Sequence, residues 1–162
     1  MPLTLRSADL GDVPRLCAMI HALARHHGDT PTVTEATLHR DLFGPSPRGR
    51  ALVAELAGQA VGYALLVPVW QAQTATRRVD LQHLFVEAEM RGQGIGRALV
   101  AAAREEARES GAQRLTVGTH PDNARAAALY QALGFAETPV AGRRFALDLA
   151  ADAPLSPTAV SA

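Results

Sequence analysis

The spacing of the hydrophobic residues changes along the chain, and each spacing predicts a type of element. Apolar residues that alternate with polar ones are typical of a half-buried strand, whereas apolar residues three or four positions apart form one face of a helix. Alternation predicts strands at residues 3–6, 51–56, 60–69, 79–86, 115–117 and 143–149. The longer spacing predicts helices at residues 13–27, 35–42, 95–110 and 123–133.

Residues with known preferences at helix ends and turns support these boundaries. Asp9 or Asp12 can cap the first helix and Thr34 the second, because their side-chain oxygens accept hydrogen bonds from unpaired amides. Gly44 and the proline after it end the second helix. Gly58, between two alternating segments, predicts a tight hairpin turn.

The composition predicts a soluble domain with an ordinary core. Hydrophobic residues make up 48% of the 162 residues, so the chain can bury a core without disulfides or metal. The net charge is zero, which argues against general binding to nucleic acid or to an anionic membrane. All basic residues are Arg, which excludes a lysine Schiff base and a Walker-type phosphate loop. The single cysteine, Cys17, argues against a disulfide scaffold, and the lack of a signal-like start or a long apolar run predicts a cytoplasmic protein.

The domain boundary is predicted near residue 150. Residues 1–150 carry all of the periodic segments and are assigned to one domain. Residues 151–162 contain two prolines and many small residues without periodicity, which predicts a disordered tail.

A glycine-rich connection between a strand and a helix is the most distinctive segment. It covers residues 85–96 and ends Arg-Gly-Gln-Gly-Ile-Gly. Gly94 and Gly96 have no Cβ, so a ligand can approach the backbone closely, and the first amides of the helix point outward with partial positive charge. A phosphate group fits such a site. The glycine spacing differs from that of the dinucleotide-binding fingerprint.

Two segments in register resemble motifs of the GNAT N-acetyltransferase superfamily. Arg91, Gly94 and Gly96, directly after a strand, are similar to its motif A, Arg-x-x-Gly-x-Gly. Residues 123–135, which begin with Asn, contain a Tyr and end in Gly-Phe, are similar to its motif B. The resemblance covers about residues 3 to 149 and implies a single-domain GNAT fold, an α/β structure with a mixed central sheet flanked by helices. Within the superfamily, the chain looks most similar to the diamine and thialysine acetyltransferase branch.

The resemblance implies that acetyl-CoA is the cosubstrate and that it lies between two parallel strands that splay apart, here residues 79–86 and 115–119. Backbone groups of the first strand would bind the pantetheine arm, and the amides of the glycine loop would bind the diphosphate. Arginine side chains would add charge-assisted contacts to phosphate, and the motif B Asn would contact the pantetheine or a bound water. The residues implied for acetyl-CoA are Phe85, Val86, Arg91, Gly92, Gln93, Gly94, Ile95, Gly96, Arg97, Asn123 and Tyr130.

The implied reaction needs an acid for the CoA sulfur and a route for the amine proton. Tyr130, at the position of the motif B tyrosine, is the predicted acid. The diamine branch carries Glu-Asp where this chain has Gln82 and His83, which weakens the case for a polyamine substrate. His83, directly or through water, is the predicted base, while Gln82 and His120 are predicted to contact the acceptor. The remaining candidate bases are His120, Glu55 and Asp80.

Other aromatic and histidine residues carry weaker predictions. Tyr63 and Trp70, near the hairpin strands, either line an acceptor pocket or pack in the core and at its edge. His26 and His27 are adjacent on a helix and point apart, so no metal site is predicted.

The sequence therefore predicts an acetyl-CoA-dependent N-acetyltransferase that acts directly on a primary amine of a small molecule or amino-acid-like acceptor. Two alternatives stay open: acetylation of a protein N-terminus or lysine, and a non-catalytic acyl-CoA sensor or interaction module that has lost the base. Nucleic acid, membrane and metal are not predicted as partners. The resemblance also implies a homodimer.

Overall fold

The computed structural model describes residues 2–139 and 142–147, which contain a five-stranded sheet with helices on both faces. The predicted helices are present, as are the first five predicted strands, so the α/β class and the mixed sheet are confirmed. In chain order the elements are β1 (Leu3–Ser7), α1 (Val13–His26), α2 (Glu35–Phe43), β2 (Arg50–Leu56), β3 (Gln59–Gln71), β4 (Thr76–Val86), α3 (Ile95–Glu109), β5 (Arg114–Val117) and α4 (Ala124–Ala132).

The strands lie in the sheet in the same order as in the chain. β1 to β4 pair antiparallel with their neighbours, and β4 pairs parallel with β5. A parallel pair needs a crossover connection, which α3 supplies here. The sheet is therefore antiparallel over most of its width and parallel at the side where the glycine loop leads into α3.

The two faces of the sheet bury separate cores. On the face covered by α3, called the α3 side, Leu99 is fully buried against strand residues such as Leu81. On the opposite face, called the α1 side, Leu16 and Met19 of α1 pack with strand residues such as Tyr63. Burial of these side chains is the main term that stabilises both layers.

β4 contains one more residue than the part of β3 that pairs with it. Leu65 and Leu66 are neighbours on β3, but they pair with His83 and Leu81, which lie two residues apart on β4. Gln82 is the residue left without a partner on β3. An insertion of this kind is a β-bulge, and it reverses the alternation of the strand beyond it.

The bulge changes which face the end of β4 presents. Leu81 lies in the α3-side core, whereas Phe85, an even number of residues away, lies in the α1-side core. Uninterrupted alternation along residues 79–86 therefore does not hold at Gln82.

The final predicted strand, 143–149, is not present in the residues that the structure describes. Residues 143–147 carry no strand pairing, and Phe145 is 85% exposed. A strand forms only when its backbone groups find a partner strand, which alternation alone does not provide. Residues 148–149, the predicted boundary at residue 150 and the predicted tail 151–162 lie outside the described residues.

The backbone conformation of the turn between β2 and β3 can be tested by substitution. Ala57 and Gly58 have φ values of 53° and 76°, as in a type I′ turn, in which Asn-Gly is preferred. Ala57→Asn is expected to raise the free energy of unfolding by about 0.5–1 kcal/mol, because alanine is strained in the left-handed region. Urea denaturation measures the change. The control is Ala128→Asn on the exposed surface of α4, which should lower the free energy by roughly 0.5 kcal/mol. Destabilisation by Ala57→Asn would contradict the turn assignment.

Candidate active site

β4 and β5 stop pairing partway along β4, which opens the sheet at one end. Their last paired residues are Leu81 and Val117, yet β4 continues to Val86 while β5 ends. Residues 83–86 of β4 therefore pair with β3 on one side and have no strand partner on the other within the described chain, and the bulged Gln82 pairs with neither neighbour. Backbone groups on that open edge have no strand partner and can bind an extended ligand, although the Val86 carbonyl accepts a hydrogen bond from Arg91.

The glycine loop follows β4 directly and leads into α3. Gly92 and Gly94 each have a φ of 81°, a left-handed conformation that favours glycine, and no atom lies within 4 Å of where either Cβ would be. The amide of Ala98 donates to the carbonyl of Gly94 over 3.0 Å, so the amides of residues 95–97 precede the first intrahelical bond of α3. These outward amides and the positive end of the helix dipole form a region suited to an anion.

Two arginines flank the glycine loop in different ways. Arg91 Nε donates to the carbonyl oxygen of Val86 over 3.0 Å, so this side chain ties the loop to the end of β4. Arg97 is exposed on the first turn of α3. Gln93 is also exposed, and its side-chain amide donates to the carbonyl of Glu89 over 3.4 Å.

α4 lies beside the start of α3. A Cβ on Gly96 would lie 3.9 Å from a methyl group of Val86 and 4.0 Å from a methyl group of Leu129, which places the first turn of α3 between β4 and α4. The Asn123 side chain accepts a hydrogen bond from the amide of Ala126 over 3.0 Å and so caps α4.

Tyr130 projects from α4 toward the α3-side core. Its ring packs edge-on against Phe135 with 5.7 Å between ring centroids. Its hydroxyl makes no hydrogen bond to any residue that the structure describes. Burial raises the pKa of the Tyr130 hydroxyl above its usual value, so the phenol stays protonated at neutral pH.

His83 and Tyr63 meet on the α1 side. The distance between His83 Nδ1 and Tyr63 Oη is 3.0 Å, and the rings are nearly perpendicular. Burial lowers the pKa of His83 below its usual value, and the charge of His27 at the end of α1 lowers it further. His83 is therefore neutral at pH 7. Burial also raises the pKa of Tyr63 well above its usual value.

Close contact between β3 and β4 holds this pair in place. A Cβ on Gly62 would lie 2.7 Å from the carbonyl oxygen of Phe85, a distance that no side chain can occupy without moving the backbone. Phe85 itself is buried, with its ring centroid 6.0 Å from that of Tyr63. Of the two locations predicted for Tyr63, a pocket or the core, the structure shows the core. Trp70, for which the sequence offered the same alternatives, is 70% exposed.

Within the described chain, the other candidate residues make no hydrogen bond to this pair. Gln82 is exposed in the bulge. His120 is exposed after β5, where its Nδ1 accepts a hydrogen bond from the amide of Asp122 over 3.3 Å. Among the carboxylates, Glu55 accepts two hydrogen bonds from Arg6, and Asp80 accepts one from the Thr116 hydroxyl over 3.0 Å.

The described ranges, 2–139 and 142–147, contain neither a cluster of metal ligands nor a helix that could span a membrane. No group of three or more His, Cys, Asp or Glu side chains there is arranged to hold a metal ion. No helix in the same ranges has the length and apolar character needed to cross a membrane.

The chain is similar in sequence and in fold to known acetyltransferases. The model of the Acetyltransferase (GNAT) family matches residues 20–135. Thialysine N-epsilon-acetyltransferase of Sus scrofa is 31% identical over 140 residues, which cover 80% of this chain and 82% of the relative. N-acetyltransferase 8 of Homo sapiens is 38% identical over 94 residues, covering 57% of this chain and 41% of that protein. An aminoglycoside acetyltransferase from an uncultured soil metagenomic sample has the same fold, with a TM-score of 0.76, 19% identity and coverage of 90% of this chain and 97% of that one. The chain therefore belongs to the GNAT family of N-acetyltransferases.

Proposed function

We propose that this chain transfers the acetyl group of acetyl-CoA directly to a primary amine of a small, amino-acid-like molecule. The observation that carries the proposal is the end of β4–β5 pairing at Leu81 and Val117, immediately before a glycine loop with outward amides. The opening supplies main-chain hydrogen bonds for an extended thioester arm, and the loop supplies a site for its diphosphate.

The residues around the opening fit acetyl-CoA. Backbone groups of Phe85 and Val86 would contact the pantetheine, and the amides at residues 92–97 would contact the diphosphate. The positive φ values of Gly92 and Gly94 and the empty space beside them allow phosphate oxygens to approach the main chain. The Arg91 and Arg97 guanidinium groups would add charge at the loop, and the Asn123 amide would lie beside the arm.

The proposed reaction forms one bond and breaks another. The neutral amine nitrogen attacks the thioester carbon, a C–N bond forms, the C–S bond breaks, the nitrogen loses one proton and the sulfur gains one. A lysine-like amine is neutral in about one of 2,500 molecules at pH 7, which costs about 4.6 kcal/mol, whereas an α-amine costs about 1.4 kcal/mol. The amine proton leaves to His83 or to a water beside it.

Tyr130 is the proposed donor to the sulfur. Full transfer from a phenol to a thiolate is uphill by about 2 kcal/mol, so the main contribution of the hydroxyl is a hydrogen bond to the charge that develops as the C–S bond breaks. The proton released by the amine then balances the one that the sulfur takes. A hydroxyl without a partner among the described residues is available for this bond.

The charges around the candidate site favour an acceptor of low net positive charge over a polycation. Gln82 is uncharged, and the carboxylates of Glu55 and Asp80 are held by Arg6 and Thr116. A polyamine would meet little negative charge there. Some of the relatives are named for acetylation of thialysine, and a side-chain or α-amine of an amino acid is accordingly the first acceptor class for this chain.

The glycine loop can be tested with Gly94→Ala. A residue with a side chain is strained at a φ of 81°, so the loop should move and the affinity for CoA should fall about tenfold in titration calorimetry. Gly111→Ala at the other end of α3 is the matched control, because Gly111 has a φ of 77°. The control should lose stability and keep its CoA affinity. Equal loss of affinity in both variants would remove the loop from the binding site.

The acid role can be tested with Tyr130→Phe. Turnover should fall about 100-fold, while the dissociation constant for CoA should change less than about threefold. Because the pKa of Tyr130 is raised, the phenol stays in its protonated, active form as pH rises through 9. Wild-type turnover should therefore show no loss from deprotonation of Tyr130 below about pH 10. Unchanged turnover of the variant would exclude the assignment.

The acceptor class can be tested with thialysine, lysine, α-amino acids and spermidine. At least one amino acid should exceed spermidine in kcat/KM by about tenfold or more. Gln82→Glu adds a carboxylate at the exposed bulge and should raise kcat/KM for spermidine several-fold without changing CoA affinity. A wild-type preference for spermidine would contradict the acceptor class, and CoA binding without turnover of any amine would favour the non-catalytic alternative.

A further inference from the structure

We infer that the Tyr63 hydroxyl donates its hydrogen bond to His83 Nδ1 and thereby keeps the proton of the neutral ring on Nε2. Tyr63 is then a positioning residue, because it fixes the tautomer of His83 and leaves Nε2–H as the group that the ring can present to other molecules. The inference rests on the proposed function for its role in turnover, while the hydrogen bond itself stands on the geometry of β3 and β4.

The direction of the hydrogen bond follows from burial. Tyr63 has no solvent exposure, and His83 Nδ1, 3.0 Å away, is the hydrogen-bond partner of its hydroxyl among the described residues. If Nδ1 carried the proton and donated to Tyr63, the buried O–H would have no acceptor there. Leaving such a donor unsatisfied costs about 1–3 kcal/mol, whereas a spare lone pair costs less. The arrangement in which Tyr63 donates satisfies both groups.

The backbone holds the pair in this arrangement. The bulge at Gln82 places His83 opposite Leu65, so that its ring reaches Tyr63 on the α1 side. Close backbone approach at Gly62 and packing of Tyr63 with Phe85 restrict movement of the tyrosine. Both side chains thus stand on strands of the sheet, which keeps their separation constant.

The consequence concerns the amine proton. With Nε2 already protonated and Nδ1 engaged by Tyr63, the neutral His83 ring has no free lone pair. It can orient a water by donating from Nε2, and that water accepts the proton that the nitrogen loses as the C–N bond forms and passes it on to bulk solvent. Protonation of the ring would place Nδ1–H against the Tyr63 O–H. The charge of His27, at the end of α1, opposes protonation as well.

Long-range ¹⁵N–¹H spectra of the wild-type chain test the hydrogen bond without any ligand. We expect the Nε2–H tautomer in the wild type. In Tyr63→Phe we expect a mixture of tautomers and a rise of about half a unit or more in the measured pKa of His83, because the bond that favours the neutral ring is lost. Tyr130→Phe, which removes a hydroxyl on the other side of the sheet, should leave the tautomer unchanged. An Nδ1–H tautomer in the wild type, or an unaltered pKa in Tyr63→Phe, would overturn the inference.

Turnover provides a second test that does not depend on the folding of Tyr63→Phe. A Gln side chain can place an N–H near the position of Nε2 but cannot take a proton at neutral pH. His83→Gln should therefore retain turnover within about fivefold of wild type, whereas His83→Ala should lose about 20-fold or more. Equal losses in both variants would mean that His83 itself takes the proton. Absence of wild-type turnover would remove the proposed function and leave the spectroscopic result intact.

Discussion

The candidate site of this protein depends on strand β4, which stays paired with β3 after its pairing with β5 has ended. β4 remains paired with β3 as far as Val86, while its pairing with β5 ends at Leu81. The antiparallel side keeps the strand hydrogen-bonded to β3, and the parallel side exposes main-chain groups that would otherwise be used within the sheet. The glycine loop begins where β4 ends, so the opening and the start of α3 lie next to each other.

The two faces of β4 serve different purposes because of the bulge. On the α3 side, Val86 and Leu129 lie on either side of Gly96, which holds α4 close to the loop. On the α1 side, Tyr63 and His83 form a buried polar pair. The α3 side therefore carries Tyr130 and the start of α3, whereas the α1 side carries the buried pair of Tyr63 and His83.

The sequence was sufficient for the elements and for the family but not for the pairing of side chains. Helix caps such as Thr34 and Asn123, and the positions of the first five strands, follow from local preferences that act within a few residues. The bulge at Gln82 is marked by no glycine or proline, and the contact of Tyr63 with His83 depends on the register that the bulge sets. Alternation at 143–147 suggested a strand, but alternation reports a preference of side chains and not the presence of a neighbouring strand.

Gly62 limits how the acceptor specificity of this enzyme can be changed by mutagenesis. Any side chain at that position would push β3 away from the carbonyl of Phe85 and carry Tyr63 with it. A saturation library should therefore keep position 62 as glycine and draw its diversity from the exposed position 82, where new side chains meet solvent and not the core.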